Sequence, residues 1–254
     1  MLEVIDFGAR SETRLEKAMR LGRSINMHSP SGQDSAATNS ERTAFAVADG
    51  VASDPNAATA AEYATNEFVA AFADRYSSHD DVLSIIHDGL LDHLHKVPAL
   101  VRATTTLTGV VITQDNYASY LHLGDSQLLL RRNDEVSEVT SEQVIRGHSL
   151  TNYLGVSGKW PPGYTRHPLN LHAVPNQFSL TGKEAEWRSV ALEAGDRLIL
   201  ATEGVLGSDP LERKAHKDWC EQTRRSLGAQ AVADMLVRKS PKIDDSTALV
   251  IDIG

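Results

Sequence analysis

The sequence predicts an α+β protein built in layers. Its strand-like segments come in groups, its helix-like segments come in pairs, and the strand-helix-strand alternation of a parallel doubly wound sheet does not occur. No repeat, charge block or low-complexity stretch divides the 254 residues, of which 41% are hydrophobic, so the expectation is a single domain over residues 1–254 with a substantial core.

The elements follow in order. Residues 1–21 have an apolar start and a helix-like stretch, SETRLEKAMRLG, and carry no motif that assigns them a role. FAVADG, from Phe45 to Gly50, reads as a strand that stops on an Asp-Gly pair. Residues 56–76 contain AATAAEYATNEFVAAFADRY, rich in Ala with apolar residues near 3.6 spacing, which predicts an amphipathic helix. A second helix, DDVLSIIHDGLLDHLHKV, is expected to set Val82, Ile85, Ile86, Leu90 and Leu94 on one face. TTTLTGVVIT, YASYLHLG, QLLLRR and EVSEVT then read as hairpin-linked antiparallel strands, broken by Asp-Asn, Gly-Asp and Asn-Asp pairs. LNLHAV, RSVALEAG and DRLILATEG add strands, PLERKAHKDWCEQTRRSL and AQAVADMLVRK supply a second helix pair, and STALVIDIG closes the chain as a strand.

Charge and cysteine content remove several function classes. A formal net charge of -9 with no dense basic stretch argues against sequence-independent nucleic-acid binding, which needs clustered Lys and Arg, whereas an acidic surface tolerates cations. Cys220 is the single cysteine, which excludes an intrachain disulfide and suits a reducing compartment; its expected role is structural. MLEVIDFGAR lacks the basic start and apolar run of a signal peptide, and no window approaches the ~20 apolar residues that span a bilayer, so the expectation is a soluble cytoplasmic protein with no membrane partner.

Four acidic residues share one local context, at or beside the end of an apolar strand: Asp49, Asp125, Glu203 and Asp244. Each alone is ordinary turn chemistry. Together they are aimed by rigid strands, and converging carboxylates about 4 Å apart repel by roughly 4 kcal/mol at an effective dielectric near 20 unless a cation sits between them. Oxygen clusters of this kind suit hard ions such as Mg²⁺ and Mn²⁺.

In order, AFAVADG, TTTLTGVVI, YLHLGDSQLLLRR, HSLTNYLG, DRLILATEGV and DDSTALVIDI resemble the motifs of the metal-dependent protein phosphatases, the type 2C serine/threonine phosphatase family, in a bacterial form with a short flap. The resemblance runs from about Gly22 to Gly254. It implies two packed antiparallel β-sheets flanked by helix pairs, an αββα sandwich. It also implies hydrolysis of phosphoserine or phosphothreonine by a water that bridges two Mn²⁺ or Mg²⁺ ions about 3.5–4 Å apart. Carried over by position, Asp49 matches the bridging carboxylate, Gly50 the carbonyl that contacts the second ion, Glu203 and Asp244 ligands of the first, and Asp125 a ligand of a weaker third ion. Asp245 stands where the family has Asn. Asp34, in SGQDS, resembles the acidic residue that orders metal-bound waters. The implied partners are a phosphorylated protein substrate and a cognate Ser/Thr kinase.

The departures are specific. The family's SDG is Thr202-Glu203-Gly204 here, which adds one methylene to a ligand, and Val51-Ala52-Ser53 replaces the segment that often carries a histidine general acid. His28, His122 and His148 read as ordinary surface or core. Ser29 holds the place of a phosphate-gripping Arg, which leaves Arg23 as the candidate substitute. SEQVIRG stands in for a flap of a few tens of residues, and Gly207 replaces an acidic residue, which weakens the third ion site further. The alternative that these departures allow is a pseudophosphatase acting as a phosphoprotein-binding or regulatory module.

Overall fold

Alternation of apolar residues along two sets of strands builds the molecule. The computed structural model describes residues 4–5, 32–41, 43–51, 54–72, 79–95, 103–113, 115–141, 143–145, 149–150, 154–156, 187–207, 227–238 and 245–254. The expected helix SETRLEKAMRLG, the strand LNLHAV, all but the last residue of PLERKAHKDWCEQTRRSL, and Cys220, His28 and His148 lie outside these residues.

One five-stranded sheet has the order β12 (Arg188–Ala191), β6 (Tyr117–Leu123), β5 (Leu107–Ile112), β3 (Ala44–Asp49), β2 (Asp34–Thr38). The other runs β1 (Val4–Ile5), β14 (Ala248–Ile253), β13 (Arg197–Ala201), β7 (Gln127–Arg132), β8 (Glu135–Glu138). Two short ladders join β4 (Ala103–Thr105) to β11 (Leu154–Val156) and β9 (Val144–Ile145) to β10 (Ser149–Leu150). All these pairings are antiparallel.

Successive side chains of a strand point to opposite faces. On β3, Phe45 and Val47 enter a core shared with Val110 and Tyr120 of their own sheet and Leu128, Leu198, Leu200, Leu249 and Ile251 of the other, so the two sheets pack face to face. Ala44 and Ala46 point the opposite way, onto α1 (Ala57–Ala71) and α2 (His79–His95), where Phe68, Ile86 and Leu90 are fully buried. Behind the second sheet, Ile199 and Ala201 meet Val205 of α3 (Glu203–Leu206) and Val232 and Leu236 of α4 (Ala229–Arg238). Helices therefore cover both outer faces of a two-sheet sandwich, as the sequence predicts.

Two expectations are corrected. Ile85 is 49% exposed, and Leu83 joins Val82, Ile86 and Leu90 in the core instead. At 3.6 residues per turn Ile85 lies about 60° to one side of Val82, while Leu83, Ile86 and Leu90 lie about 40–100° to the other. Second, only some of the polar pairs are hairpin turns. Asn133 and Asp134 both have positive φ, the two-residue turn that joins β7 to β8 with the right twist. At Gly124-Asp125 the chain leaves the first sheet at the end of β6 and enters the second at β7.

Register brings several strand ends together. Leu107 pairs with Leu123, and Ala201 pairs with both Gln127 and Ala248. The start of β2, the end of β3, the β6–β7 crossing, the end of β13 and the start of β14 therefore meet at one rim of the sandwich.

Candidate functional site

Asp34 opens β2, Asp49 closes β3, and the two are direct partners across the ladder. The neighbouring pair, Gln33 and Gly50, carries the inter-strand bond from the Gly50 N–H to the Gln33 carbonyl, 3.1 Å. The Asp49 N–H and carbonyl point the other way, toward Thr106. Asp34 and Asp49 are thus a non-hydrogen-bonded pair, the kind whose side chains approach more closely. Both lie on the inner face, Asp34 two residues before Ala36 and Asp49 two after Val47. Asp34 is 2% exposed and Asp49 half-buried, so two carboxyl side chains stand opposite each other at the sandwich rim.

A run of threonines holds Asp49. Its N–H donates to Thr106 Oγ1 (2.8 Å), and its carbonyl accepts the Thr106 N–H (2.8 Å) and the Thr105 hydroxyl (3.0 Å). Thr106 Oγ1 also pairs with Ser126 Oγ at 2.8 Å, which links the strand of Asp49 to the sheet crossing that carries half-buried Asp125. Gly50 bridges Thr105, and a Cβ there would fall 2.6 Å from the Ala57 backbone, so the first turn of α1 can close onto the site only over a glycine. Beyond it the Val51 N–H donates to the Thr104 carbonyl at 3.0 Å, and the Thr104 hydroxyl donates to the buried Asp54 carboxylate.

From the second sheet, Thr202 donates its hydroxyl to Asp34 Oδ2 at 2.8 Å, and the buried carboxylate of Asp245 accepts the Gln33 N–H. Half-buried Glu203 opens α3 directly after Thr202. Gly204 follows with Asp245 pressed against it: a Cβ would lie 1.7 Å from the Asp245 carbonyl oxygen. His122 is buried beneath the rim, between Thr108 Oγ1 (3.0 Å from Nδ1) and the Ser141 carbonyl (2.8 Å from Nε2). Burial pushes its pKa down to about 4, which leaves it a neutral core residue, as expected from the sequence.

Of the residues singled out in the sequence, Asp34, Asp49, Gly50, Asp125 and Glu203 therefore gather at one rim, while Asp244 and Arg23 lie outside the described residues. Sequence reasoning assigned no role to Thr106, Ser126, Thr202 or Gln33. The consecutive Thr104, Thr105 and Thr106 are the one local signal, since strand ends rich in hydroxyls offer side-chain bonds to neighbouring backbone.

Among the described residues no three His, Cys, Asp or Glu side chains stand together as a metal-ligand group. What they offer is oxygen: an opposed pair of carboxylates in Asp34 and Asp49, and at position 50 a backbone that only glycine permits, while Glu203 opens α3 at the same rim without joining them in one group. In kind, these donors fit a hard divalent cation such as Mg²⁺ or Mn²⁺. Among the same residues no helix is long and apolar enough to cross a membrane.

Residues 22–239 match the family model described as protein phosphatase 2C. Protein phosphatase PhpP of Streptococcus pneumoniae is 31% identical over 105 residues, 41% of this chain and 41% of that protein, so the match spans about two fifths of the curated relative's length. The Ser-Thr phosphatase MsPP of Mycobacterium smegmatis, solved with cacodylate, aligns over 88% of this chain and 92% of its own with a TM-score of 0.58 and 18% identity. The catalytic domain of the serine threonine protein phosphatase PstP, solved with two manganese ions, aligns over 87% and 91% with a TM-score of 0.56 and 20% identity. At these identities the two structural likenesses are likenesses of fold.

Proposed function

The chain belongs to the protein phosphatase 2C family, and we propose on that premise that it is a protein phosphatase that hydrolyses phosphoserine and phosphothreonine with the help of two Mn²⁺ or Mg²⁺ ions. The observation that carries the reading is the opposed pair Asp34 and Asp49 at the rim where both sheets end, since carboxylates directly opposite each other repel and a cation bound there offsets the repulsion. Asp49, the Gly50 carbonyl, Glu203 and Asp244 would hold the two ions, with Asp125 offered to a weaker third. Such ions supply an acidified water and neutralise phosphoryl oxygens as charge develops.

The remaining work falls to the protein. Asp34, whose Oδ2 already accepts the Thr202 hydroxyl, offers its carboxylate to orient the attacking water, and Asp49 is held by Thr105 and Thr106 so that its position is set before substrate arrives. Val51 carries no proton for a leaving alkoxide. Arg23 is the candidate grip on the phosphate. The substrate is a phosphorylated protein, the counterpart a Ser/Thr kinase, and the setting the cytoplasm. Hydrolysis of p-nitrophenyl phosphate and of a phosphothreonine peptide tests the reading. Wild type should turn over both with Mn²⁺, and Asp49→Asn should lose at least about a hundredfold. Absence of turnover with every divalent ion would overturn it.

A further inference from the structure

We propose that Thr202 is a positioning residue for this site: from the second sheet, its hydroxyl sets the carboxylate of Asp34 in the orientation in which it faces Asp49. The proposal rests on the reading of Asp34 and Asp49 as parts of a phosphatase site, and it concerns how the two sheets are coupled there.

Thr202 occupies the N-cap position of α3, with φ -77° and ψ 165°. Threonine is favoured there because its side-chain oxygen can accept a backbone N–H of the first helical turn, yet Thr202 makes no such bond. Its oxygen instead accepts the Thr247 N–H at 3.0 Å, and its single proton goes to Asp34 Oδ2 at 2.8 Å. The Thr247 carbonyl, at 3.5 Å, is the poorer acceptor, because a hydrogen bond to a carboxylate is shorter and stronger than one to a neutral oxygen. Thr202 is 0% exposed and Asp34 2%, so bulk water does not compete for the bond.

The donor is rigid and the acceptor is not. The Thr202 N–H is tied to the Thr247 carbonyl at 3.1 Å, and a β-branched side chain is stiff about χ1. An Asp carboxylate turns broadly about χ2, so something must choose its orientation. The backbone of β2 is held by other means: the Gln33 N–H donates to Asp245, the Gln33 carbonyl accepts from Gly50, and Ser35 bonds Thr65 of α1 at 2.8 Å on the opposite face. Loss of the Thr202 hydroxyl removes this bond from the carboxylate and should shift its orientation while the strand stays in place. The turn that presents Glu203 to the site thus also orients the acid on the facing sheet.

Steady-state kinetics and crystal structures of wild type, Thr202→Ser, Thr202→Val, Thr202→Ala, Asp34→Asn and the double variant Thr202→Val/Asp34→Asn test this. Thr202→Ser should keep wild-type kcat. Thr202→Val and Thr202→Ala should lower kcat about tenfold with KM within about twofold, and their structures should show Asp34 turned away from its wild-type rotamer. In the Asp34→Asn background, Thr202→Val should remove no more than about twofold further, because the group it positions has already lost its charge. An Asp34 rotamer unchanged in both Thr202→Val and Thr202→Ala would overturn the proposal. So would a tenfold loss that persists undiminished in the double variant, which is the mark of a merely structural role. A wild type without turnover would overturn the phosphatase reading alone, and the rotamer comparison would still decide the placement of Asp34.

Discussion

Neutralising Asp49 should make the metal-free protein more stable while it abolishes the response to metal. In a non-hydrogen-bonded pair the Cβ atoms lie about 4.5–5.5 Å apart, and two unit charges about 5 Å apart at an effective dielectric near 20 repel by roughly 3 kcal/mol. Asp49 is half-buried, and solvent and salt screen its side of the pair, so about 1–2 kcal/mol is a fair net figure. For a chain of this size that corresponds to a rise in Tm of about 3–6 °C for metal-free Asp49→Asn. Wild type should reverse the order once Mn²⁺ is added. At a free ion concentration about 100 times Kd, binding to the native state alone adds about 2.7 kcal/mol, or about 5–10 °C. Calorimetric scans of both proteins in EDTA and in Mn²⁺ should therefore cross: the variant melts higher without metal, the wild type higher with it. A variant that melts lower than wild type in EDTA, or one that keeps the full Mn²⁺ shift, would refute the view that this pair is held face to face for a cation.

Three further outcomes follow from the rim. Glu203→Asp should lower kcat toward p-nitrophenyl phosphate by about tenfold, because Gly204 is pressed against the Asp245 carbonyl and the backbone cannot advance to recover the reach of the lost methylene; equal or higher activity would contradict this. Gly204→Ala, whose Cβ would lie 1.7 Å from that oxygen, should cost about 3 kcal/mol or more in urea unfolding, and a loss below about 1 kcal/mol would show that the β14 entry yields easily. His122 stays neutral in the fold down to about pH 4, whereas an unfolded chain takes up its proton near pH 6.5, so protonation of the unfolded state lowers stability as pH falls through that window. His122→Gln should accordingly lose about 2 kcal/mol less than wild type between pH 7 and pH 4.5, and parallel pH profiles would show that the ring is not the group responsible.

What was legible in the sequence, and what was not, divides along the distance over which each feature is decided. The alternation in FAVADG specifies a strand with Phe45 and Val47 on one face, and it carries Asp49 to the same face two residues later; that much needs no knowledge of a neighbour. Gly124-Asp125 is different, since a turn that returns within a sheet and a link that crosses to a second sheet draw on the same residues, and only the pairing of β6 and β7 with different partners separates them. Ile85 differs for a third reason: an apolar residue at the margin of a helical stripe is assigned by what packs opposite it, and Ile85 is left 49% exposed. The hydroxyls are the least legible of all. Thr202 and Asp34 are 168 positions apart, and nothing in TEG distinguishes a threonine that caps its own helix from one that bonds an acid on the facing sheet. The acids proposed to carry the chemistry belong to a recognisable pattern. The residues that aim them are chosen by the packing of one sheet on the other, and that choice becomes visible only when the two sheets are seen together.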